Sequence, residues 1–184
     1  MKLAIDPGHG TGNRKPGEYD PGAVYAGIRE ADVVLFWALT VKHVLAQAGI
    51  AVWMTRDDPD DPAPVGSRDE RAELARCTHF LSLHCNGGGW GRASGVETFY
   101  RDERDRRWAR MVHGAAIIAT GLPSRRVRHE SQTQVKRLAI MDFDGPCALL
   151  ETGYLDHSTD RAVITRREVR IAFAEAMLER VRVL

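Results

Sequence analysis

The chain has 184 residues, of which 43% are hydrophobic and 28% charged, and its formal net charge is +1. This length and composition are typical of a soluble globular chain with one substantial core, so we expect a single domain over residues 1–184. The near-neutral charge argues against a dedicated nucleic-acid-binding protein, and the lack of any run of roughly 20 apolar residues argues against an integral membrane protein.

Signals in the first half of the chain predict strands that alternate with helices. Short apolar runs that stop at Gly, Pro or a polar residue predict strands, and apolar residues at helical spacing predict helices. In chain order we expect a strand at 3–5, a loop rich in Gly, Pro and charged residues at 10–29, a helix at 33–48 that Gly49 ends, a strand at 50–54, a helix opened by a capping box of Ser67 and Glu70, and a strand at 80–83. A loop as long as this one is usually functional in a compact domain.

The second half of the chain continues the alternation. We expect a strand at 95–100, a helix at 103–120 that ends at Gly121, strands at 138–141 and 147–151 on either side of a turn at DFDGP, and an amphipathic helix at 166–181. Strands that alternate with helices predict an α/β fold, in which a mostly parallel, twisted sheet of about six strands has helices on both faces.

Three polar residues fall at or just past the carboxyl ends of predicted strands, where sites gather in parallel sheets. They are His9 in IDPGHG, His84 in FLSLHCN and Glu151 in CALLETGY. Taken alone, His9 is as typical of a turn histidine bonded to backbone as of a functional residue, and His84 is as typical of a satisfied core histidine as of a metal ligand. Glu151 is harder to explain in that way, because a carboxylate directly after three apolar residues is costly to bury unless it is paired or faces a site.

Glu30, in GIREAD, completes a set with the chemistry of a catalytic zinc site, although a carboxylate in the first turn of a helix is also common. Such sites use three protein ligands of the His₂Glu kind and leave one position for water, whose proton a further carboxylate accepts. His9, Glu30 and His84 fit the ligands of one zinc ion, and Glu151 fits the base. The four residues lie far apart in sequence, so their spacing alone does not establish the site.

Six motifs occur along the chain in a fixed order: IDPGHG at 5–10, DPGA at 20–23, Glu30, TRDD at 55–58, SLHCN at 82–86 and LLETGY at 149–154. Together they resemble the motifs of the zinc-dependent N-acetylmuramoyl-L-alanine amidases of the amidase-3 family, from Leu3 to the last helix. In that family the histidine after DPG, the glutamate before the first helix and the histidine of the SxHxN strand hold the zinc. These positions fall on His9, Glu30 and His84, and the family's catalytic glutamate falls on Glu151.

The resemblance implies an enzyme that hydrolyses the amide between N-acetylmuramic acid and L-alanine of the peptidoglycan stem peptide. Zinc would polarise the scissile carbonyl, and Glu151 would take a proton from the attacking water and deliver it to the alanine nitrogen. Asn86 and Trp90 are the candidates for substrate contacts. Trp90, in a glycine-rich loop beside His84, suits stacking on a sugar or on the stem peptide, or serves only as an exposed anchor of its loop.

Two loops differ from patterns known in the family. The segment GGGWGRASG at 87–95 is too short for the inserted helix that covers the zinc in some division-associated relatives until a partner removes it. We therefore expect an enzyme that is active without an activator protein. We also expect a monomer. The intervening loop TGNRKPGEY at 11–19 is longer than the family's short form, which affects substrate contacts on that side and not the ligands.

Two other classes of protein share part of this pattern. A catalytically silent wall-binding module of the same fold would not need a base, so the complete set of site residues argues against it. A zinc peptidase or carboxypeptidase would use the same ligand types, and only the motif order from DPGHG to ETGY points to muropeptides.

The opening of the chain and its cysteines bear on where the protein is made. No basic segment followed by an apolar core opens the chain as in a signal peptide, and Cys77, Cys85 and Cys147 lack metal-type spacing and fit a reducing compartment. We therefore expect synthesis in the cytosol and action at the cell wall, as in a phage or prophage endolysin. A bacterial autolysin or cell-division amidase is the alternative.

Overall fold

A computed structural model describes all 184 residues of the chain. The strands are β1 (Lys2–Pro7), β2 (Gly10–Thr11), β3 (Tyr19–Asp20), β4 (Val24–Tyr25), β5 (Ile28–Arg29), β6 (Ala51–Met54), β7 (His79–Asn86), β8 (Val96–Tyr100), β9 (Ser124–His129) and β10 (Cys147–Tyr154). The helices are α1 (Glu30–Gln47), α2 (Arg68–Leu74), α3 (Glu103–Thr120), α4 (Ser158–Ile164) and α5 (Arg167–Val181). None of them combines the length and the apolar character that crossing a bilayer requires.

Six of the strands form one sheet in the order β6–β1–β7–β10–β8–β9. The strands β6, β1, β7 and β10 run parallel, whereas β8 is antiparallel to β10 and parallel to β9. The predicted α/β fold with a mostly parallel sheet is therefore confirmed. Because the four parallel strands end at one edge, the residues at the carboxyl ends of β1, β7 and β10 meet there.

Alternating residues of the strands build a core on each face of the sheet. Leu3 and Ile5 of β1 belong to a cluster of 29 buried residues beneath the long helices α1, α3 and α5. Ala4, between them, belongs to a cluster of nine buried residues on the opposite face. There α2 and a 3₁₀ turn at Ala139–Asp142 leave a groove uncovered beside the ends of the parallel strands.

Helix α3 begins and ends where the sequence predicts. Asp102 accepts a hydrogen bond from the backbone nitrogen of Asp105 (2.8 Å), and the Asp105 carboxylate accepts one in return from the nitrogen of Asp102. Gly121 adopts the left-handed conformation, with φ +65°, and its N–H closes the last turn on Ile117. A capping box at one end and a glycine at the other thus define the element, and the prediction over 103–120 is confirmed.

The start of α2 follows a different pattern from the one predicted. A helix does begin after Ser67, but Ser67 and Glu70 form no capping box. A 3₁₀ turn precedes the helix, and the Ser67 hydroxyl donates instead to the carbonyl oxygen of Pro64 (3.4 Å). The predicted cap is therefore wrong, because the local turn takes up the hydroxyl.

The strand predicted at 138–141 is also wrong, because the chain forms the 3₁₀ turn at Ala139–Asp142 there. Its Ile140 and Met141 pack into the nine-residue cluster, so their apolar character serves burial and not sheet pairing. A run of four apolar residues does not distinguish these outcomes. Outside the predicted loop at 10–29, β9 and α4 have no counterpart among the sequence predictions, and β9 provides the sixth strand of the sheet in place of the predicted strand at 138–141.

The loop predicted at 10–29 contains two short antiparallel pairs, β2 with β3 and β4 with β5. The Glu30 backbone nitrogen then donates to the carbonyl oxygen of Ala23 (2.8 Å), which fixes the loop against the start of α1. The loop is therefore a folded flap over the end of β1, which is consistent with the functional role expected of it.

Candidate metal centre

His9 lies in a tight turn directly after β1. Its backbone is left-handed, with φ +62°, a conformation that non-glycine residues adopt rarely. The buried Arg56 guanidinium holds the turn by donating to the carbonyl oxygens of Pro7 (3.0 Å) and Gly8 (2.8 Å). A Cβ atom at Gly8 would lie 2.3 Å from the imidazole of His84. Glycine is therefore required at this position for the His84 ring to approach the turn that carries His9.

Glu30 is the first residue of α1, and its side chain is buried. One carboxylate oxygen, Oε2, accepts a hydrogen bond from the backbone nitrogen of Ala23 (2.9 Å), and the other, Oε1, accepts one from the nitrogen of Cys85 (3.0 Å). Two backbone donors, one in the loop before β4 and one in β7, therefore fix the orientation of the carboxylate.

His84 completes the cluster from the carboxyl end of β7. Glu30 Oε1 lies 2.9 Å from His84 Nδ1 and 3.0 Å from His9 Nε2, and the two imidazoles meet edge to face with centroids 4.9 Å apart. One potential ligand atom from each of the three residues lies within 4.8 Å of the others. The structure thus brings together the three residues that the sequence predicts as ligands.

The charges of the cluster favour a cation. Burial alone would raise the pKa of Glu30, but hydrogen bonds and charge from His84 and His9 outweigh it and lower the pKa. Burial alone would lower the pKa of His9, but the carboxylates of Glu30 and Asp20 outweigh it and raise the pKa. Two imidazoles that converge on an ionised carboxylate are a donor set found in catalytic zinc sites.

The space around these donors also fits a bound ion. A Cβ atom at Gly22 would lie 2.6 Å from Glu30 Oε2 and 2.7 Å from His9 Cδ2, and the backbone there has φ +65°. Together with Gly8, this glycine keeps side-chain atoms out of the space between the three donors. The residues present therefore fit a metal ion in both donor chemistry and room.

Asp20, in the DPGA motif, is a supporting residue to which the sequence analysis gives no role. Its Oδ2 lies 3.2 Å from His9 Nδ1, without the alignment of a hydrogen bond, and it accepts a hydrogen bond from Asn13 Nδ2 (2.6 Å). Burial opposes ionisation of Asp20, but donors from Gly22 and Asn13 outweigh it and lower the pKa to about 2. The negative charge of Asp20 at this distance favours a proton on His9 Nδ1, which leaves Nε2 free as a ligand.

A buried ion pair lies beneath the cluster and is also absent from the sequence predictions. Arg68 Nη1 is 2.7 Å from Asp6 Oδ1, and Arg68 Nη2 donates to the carbonyl oxygen of His9 (2.8 Å). Asp6 also accepts hydrogen bonds from the hydroxyls of Thr55 (2.6 Å) and Ser82 (2.7 Å). The pair therefore ties the His9 turn to α2 and to the neighbouring strand β7.

Glu151 lies on β10, in register with His84 on one neighbouring strand and with Glu97 on the other. Its Oε2 is shielded from solvent and has no hydrogen-bond partner. Burial, followed by the charges of Glu30 and Glu97, raises the pKa of Glu151 well above its usual range. A buried carboxyl oxygen without a partner at the edge of a groove is typical of a functional group.

The groove has a volume of about 710 Å³ and is lined by His9, Glu30, His84, Glu151 and Asn86 among others. Asn86 donates from Nδ2 to Glu97 Oε2 (3.3 Å), so its amide is held at the groove wall. Trp90 does not line this groove: its side chain is 91% exposed, and it borders a neighbouring groove of about 440 Å³ together with Tyr25.

An α/β domain that holds a His–Glu–His cluster and a buried carboxyl group at the carboxyl ends of its strands has the arrangement of a hydrolase active site, in which the cluster is the candidate metal site. The particular family follows from a comparison with family models. The model described as N-acetylmuramoyl-L-alanine amidase matches residues 3–182 of this chain. The chain therefore belongs to the Amidase_3 family, and the family membership predicted from its motifs is confirmed.

Individual relatives are consistent with this family. The chain is 27% identical over 179 residues to the germination-specific N-acetylmuramoyl-L-alanine amidase of Bacillus subtilis, with 88% of this chain and 70% of that protein covered. It is 27% identical over 177 residues to the probable cell wall amidase LytH of Staphylococcus aureus, covering 96% of this chain. The chain spans about half of that relative, 56% of its length.

Solved structures share the fold. The catalytic domain of CwlV, an N-acetylmuramoyl-L-alanine amidase from Bacillus (Paenibacillus) polymyxa var. colistinus, is 28% identical to this chain, with a TM-score of 0.83. The alignment covers 100% of this chain and 99% of that domain. The similarity therefore extends over the whole catalytic domain and not only over the motifs.

Proposed function

We propose that this chain is a zinc-dependent peptidoglycan hydrolase that cleaves the amide between N-acetylmuramic acid and L-alanine of the stem peptide. Membership of the amidase family supports the reaction. The observation that carries the mechanism is the convergence of His9, Glu30 and His84 in one groove with the partnerless carboxyl group of Glu151.

His9, Glu30 and His84 would hold one zinc ion, because their ligand atoms converge and glycines keep the space between them free. A zinc ion supplies a Lewis acid that polarises a carbonyl oxygen and lowers the pKa of water towards about 7. The protein contributes the fixed orientation of its ligands, through the backbone donors to Glu30 and through Asp20 behind His9.

Glu151 acts as the general base and then as the general acid. It accepts a proton from the attacking water as the new C–O bond forms at the scissile carbonyl. It then donates that proton to the alanine nitrogen as the C–N bond breaks, which leaves a lactyl carboxylate and a free amino terminus. Burial raises the pKa of the Glu151 carboxyl group, which favours the protonated form that donates to the alanine nitrogen.

Asn86 and Trp90 remain proposed substrate contacts, on different sides of the site. The Asn86 amide lies at the wall of the main groove beside Glu97. Trp90, exposed at the neighbouring groove, offers an aromatic face on which a sugar ring can stack. The two grooves share Gly87 and Gly88 and are therefore adjacent, so one substrate strand can contact both residues.

We further propose that the enzyme works as a monomer without an activator. The chain forms no helix between β7 and β8, the segment where an occluding insert would lie. Activity of the purified chain alone on cell walls supports this proposal, and activity that appears only after a partner protein is added contradicts it.

The biological role is a separate proposal. The sequence predicts a phage or prophage endolysin, whereas the two relatives described above carry names of bacterial germination and cell wall enzymes. In either role the enzyme acts at the cell wall. The genomic neighbourhood distinguishes them, because an endolysin is encoded among phage lysis genes and an autolysin is not.

The reaction is tested by adding the zinc-loaded chain to purified cell walls and identifying the soluble products by mass spectrometry. Stem peptides that begin with L-alanine, together with intact N-acetylmuramic acid, support the amidase. Products cut between amino acids would instead indicate a peptidase, and binding to the walls without any product would indicate a wall-binding module.

A further inference from the structure

The edge strand β9 is irregular where it borders the main groove. Val96 of β8 pairs with Ser124 and Thr98 pairs with Val127, so two residue steps on β8 oppose three on β9. The additional residue makes a β-bulge, and within it Arg126 has a left-handed backbone with φ +80°. A bulge shifts the alternation of the side chains along the strand.

This shift directs two arginines to the same side. In a regular strand Arg125 and Arg128 would point to opposite faces, because they are three residues apart. Both line the main groove, and Arg126 between them does not. The bulge therefore places a second guanidinium in the groove that contains Glu151.

The two guanidinium groups differ in their partners. Arg128 donates to the Glu97 carboxylate and to Gln132 Oε1 (2.8 Å), so its charge is matched. Arg125 makes no side-chain hydrogen bond: its Nε lies 3.7 Å from Glu97 Oε1 and is buried without a partner. Its Cζ lies 5.2 Å from the centroid of the Tyr154 ring, which holds the guanidinium in place while its donors stay free.

We propose that Arg125 binds a carboxylate of the stem peptide and makes an acidic stem the preferred substrate. This inference rests on the proposed function. A guanidinium with free donors suits a carboxylate, which it binds through two parallel hydrogen bonds. Glu97 is one carboxylate facing both Arg125 and Arg128, so the pair of arginines retains one unmatched positive charge.

The position of Arg125 indicates which part of the substrate it contacts. Glu97 and Glu151 are cross-strand neighbours, with Cβ atoms about 5 Å apart in such pairs. Arg125 lies on the far side of Glu97 from Glu151, so a peptide that advances about 3.3–3.6 Å per residue reaches it within a few residues of the cleaved amide. The lactyl carboxyl group of N-acetylmuramic acid is consumed in the amide bond, so the glycan part of the substrate carries no free carboxylate. The carboxylate that Arg125 binds therefore belongs to the stem peptide.

Binding of two synthetic stem peptides tests the proposal without any hydrolysis. Both contain L-Ala-γ-D-Glu-L-Lys-D-Ala, and the α-carboxyl group of the glutamate is free in one and amidated in the other. We expect the wild-type chain to bind the free acid about tenfold more tightly, as measured by calorimetry. Arg125→Gln should remove this preference, and Arg125→Lys should keep only part of it.

Arg126→Gln is the matched control, because it removes the same charge from the same strand outside the groove. It should retain the tenfold preference, and unchanged thermal unfolding of all variants shows that they are folded. Equal binding of the two peptides by the wild type, no binding of either, or a preference that survives in Arg125→Gln would overturn the proposal. Hydrolysis of the corresponding N-acetylmuramoyl peptides is measured separately, so failure of the amidase reaction is distinguished from failure of this inference.

Discussion

Gly22 and Gly27 share a left-handed backbone and differ only in their surroundings. A Cβ atom at Gly22 would lie 2.6 Å from Glu30 Oε2, whereas nothing lies within 4 Å of one at Gly27. We expect Gly22→Ala to lose most zinc affinity, because the Glu30 carboxylate must move. Gly27→Ala should only destabilise the fold by about 1 kcal/mol through backbone strain. Calorimetric zinc titration of both variants measures the difference, and equal affinities would contradict this account of the site.

The role of Glu151 is tested by a substitution that keeps its shape. We expect Glu151→Gln to bind one zinc ion per chain and to hydrolyse cell walls roughly 10²–10⁴-fold more slowly, because the amide accepts no proton. Metal analysis and release of stem peptides are measured on the same sample. His9→Asn, whose side chain tolerates the left-handed backbone, should lose both zinc and activity. Near-normal hydrolysis by Glu151→Gln would remove Glu151 from the mechanism.

The site residues that could be predicted are those whose chemistry is unusual for their local sequence. Glu151 directly follows an apolar run, and His84 ends one, so both are conspicuous without any structure. Asp20 and Arg68 were missed as functional residues because a charged residue in a loop or at the start of a helix is ordinary. Only the folded chain shows that Asp20 lies beside His9 and that Arg68 is buried.

Between elements, the buried pair of Asp6 and Arg68 joins β1 to α2, and we expect Arg68→Gln to destabilise the protein strongly. Removal of one partner leaves a buried charge unpaired, which costs roughly 3–5 kcal/mol and lowers Tm by roughly 6–20 °C in a chain of this size. Arg71→Gln on the same helix is the control, because Arg71 makes one exposed hydrogen bond to Pro62 and a contact with the face of the Trp53 ring (Cζ to centroid 5.8 Å), and its loss should lower Tm far less. Similar melting of the two variants would show that the pair contributes no more than a surface contact.

The same pair gives an expected pH dependence. Burial would raise the pKa of Asp6, but Arg68 and the hydroxyls of Thr55 and Ser82 outweigh it and lower the pKa. The Asp6 carboxylate therefore binds a proton less readily in the folded state than in the unfolded chain, where the pKa of aspartate is about 3.9. The contribution of ionised Asp6 to the free energy of unfolding is fully present above the unfolded-state pKa. It is lost as the pH falls through the lower folded-state pKa. Urea unfolding between pH 7 and pH 2 should show this loss, which should be smaller in Arg68→Gln.

Among elements, α3 was predictable and β9 was not, for physical reasons. Signals at both ends of α3 are local: its first turn is capped within the segment and Gly121 provides the left-handed residue that ends it. The β9 sequence SRRVRH has no apolar alternation, since it is an edge strand that pairs only with β8 and carries a bulge. Its existence depends on a partner strand far away in sequence, which no local pattern encodes.

At the scale of the whole molecule, the alternation of elements predicts the α/β class but not the strand order. The order β6–β1–β7–β10–β8–β9 places the last strand of the sequence in the middle of the sheet, between β7 and β8. That position aligns Glu151 with His84. The site is therefore a consequence of topology, and the main core of 29 residues, which contains none of the predicted ligands, forms on the other face.

This separation of the core from the site predicts that metal removal weakens the protein without unfolding it. A ligand present at a thousandfold excess over its Kd stabilises by about 4 kcal/mol, which corresponds to a Tm shift of roughly 8–16 °C for this chain length. We expect a chelator to lower Tm by that amount and to leave the far-ultraviolet circular dichroism at 25 °C unchanged. Zinc should restore Tm in the wild type and not in His9→Asn. Loss of helical signal on chelation would mean that the core depends on the ion, and an unchanged Tm would mean that no ion is bound.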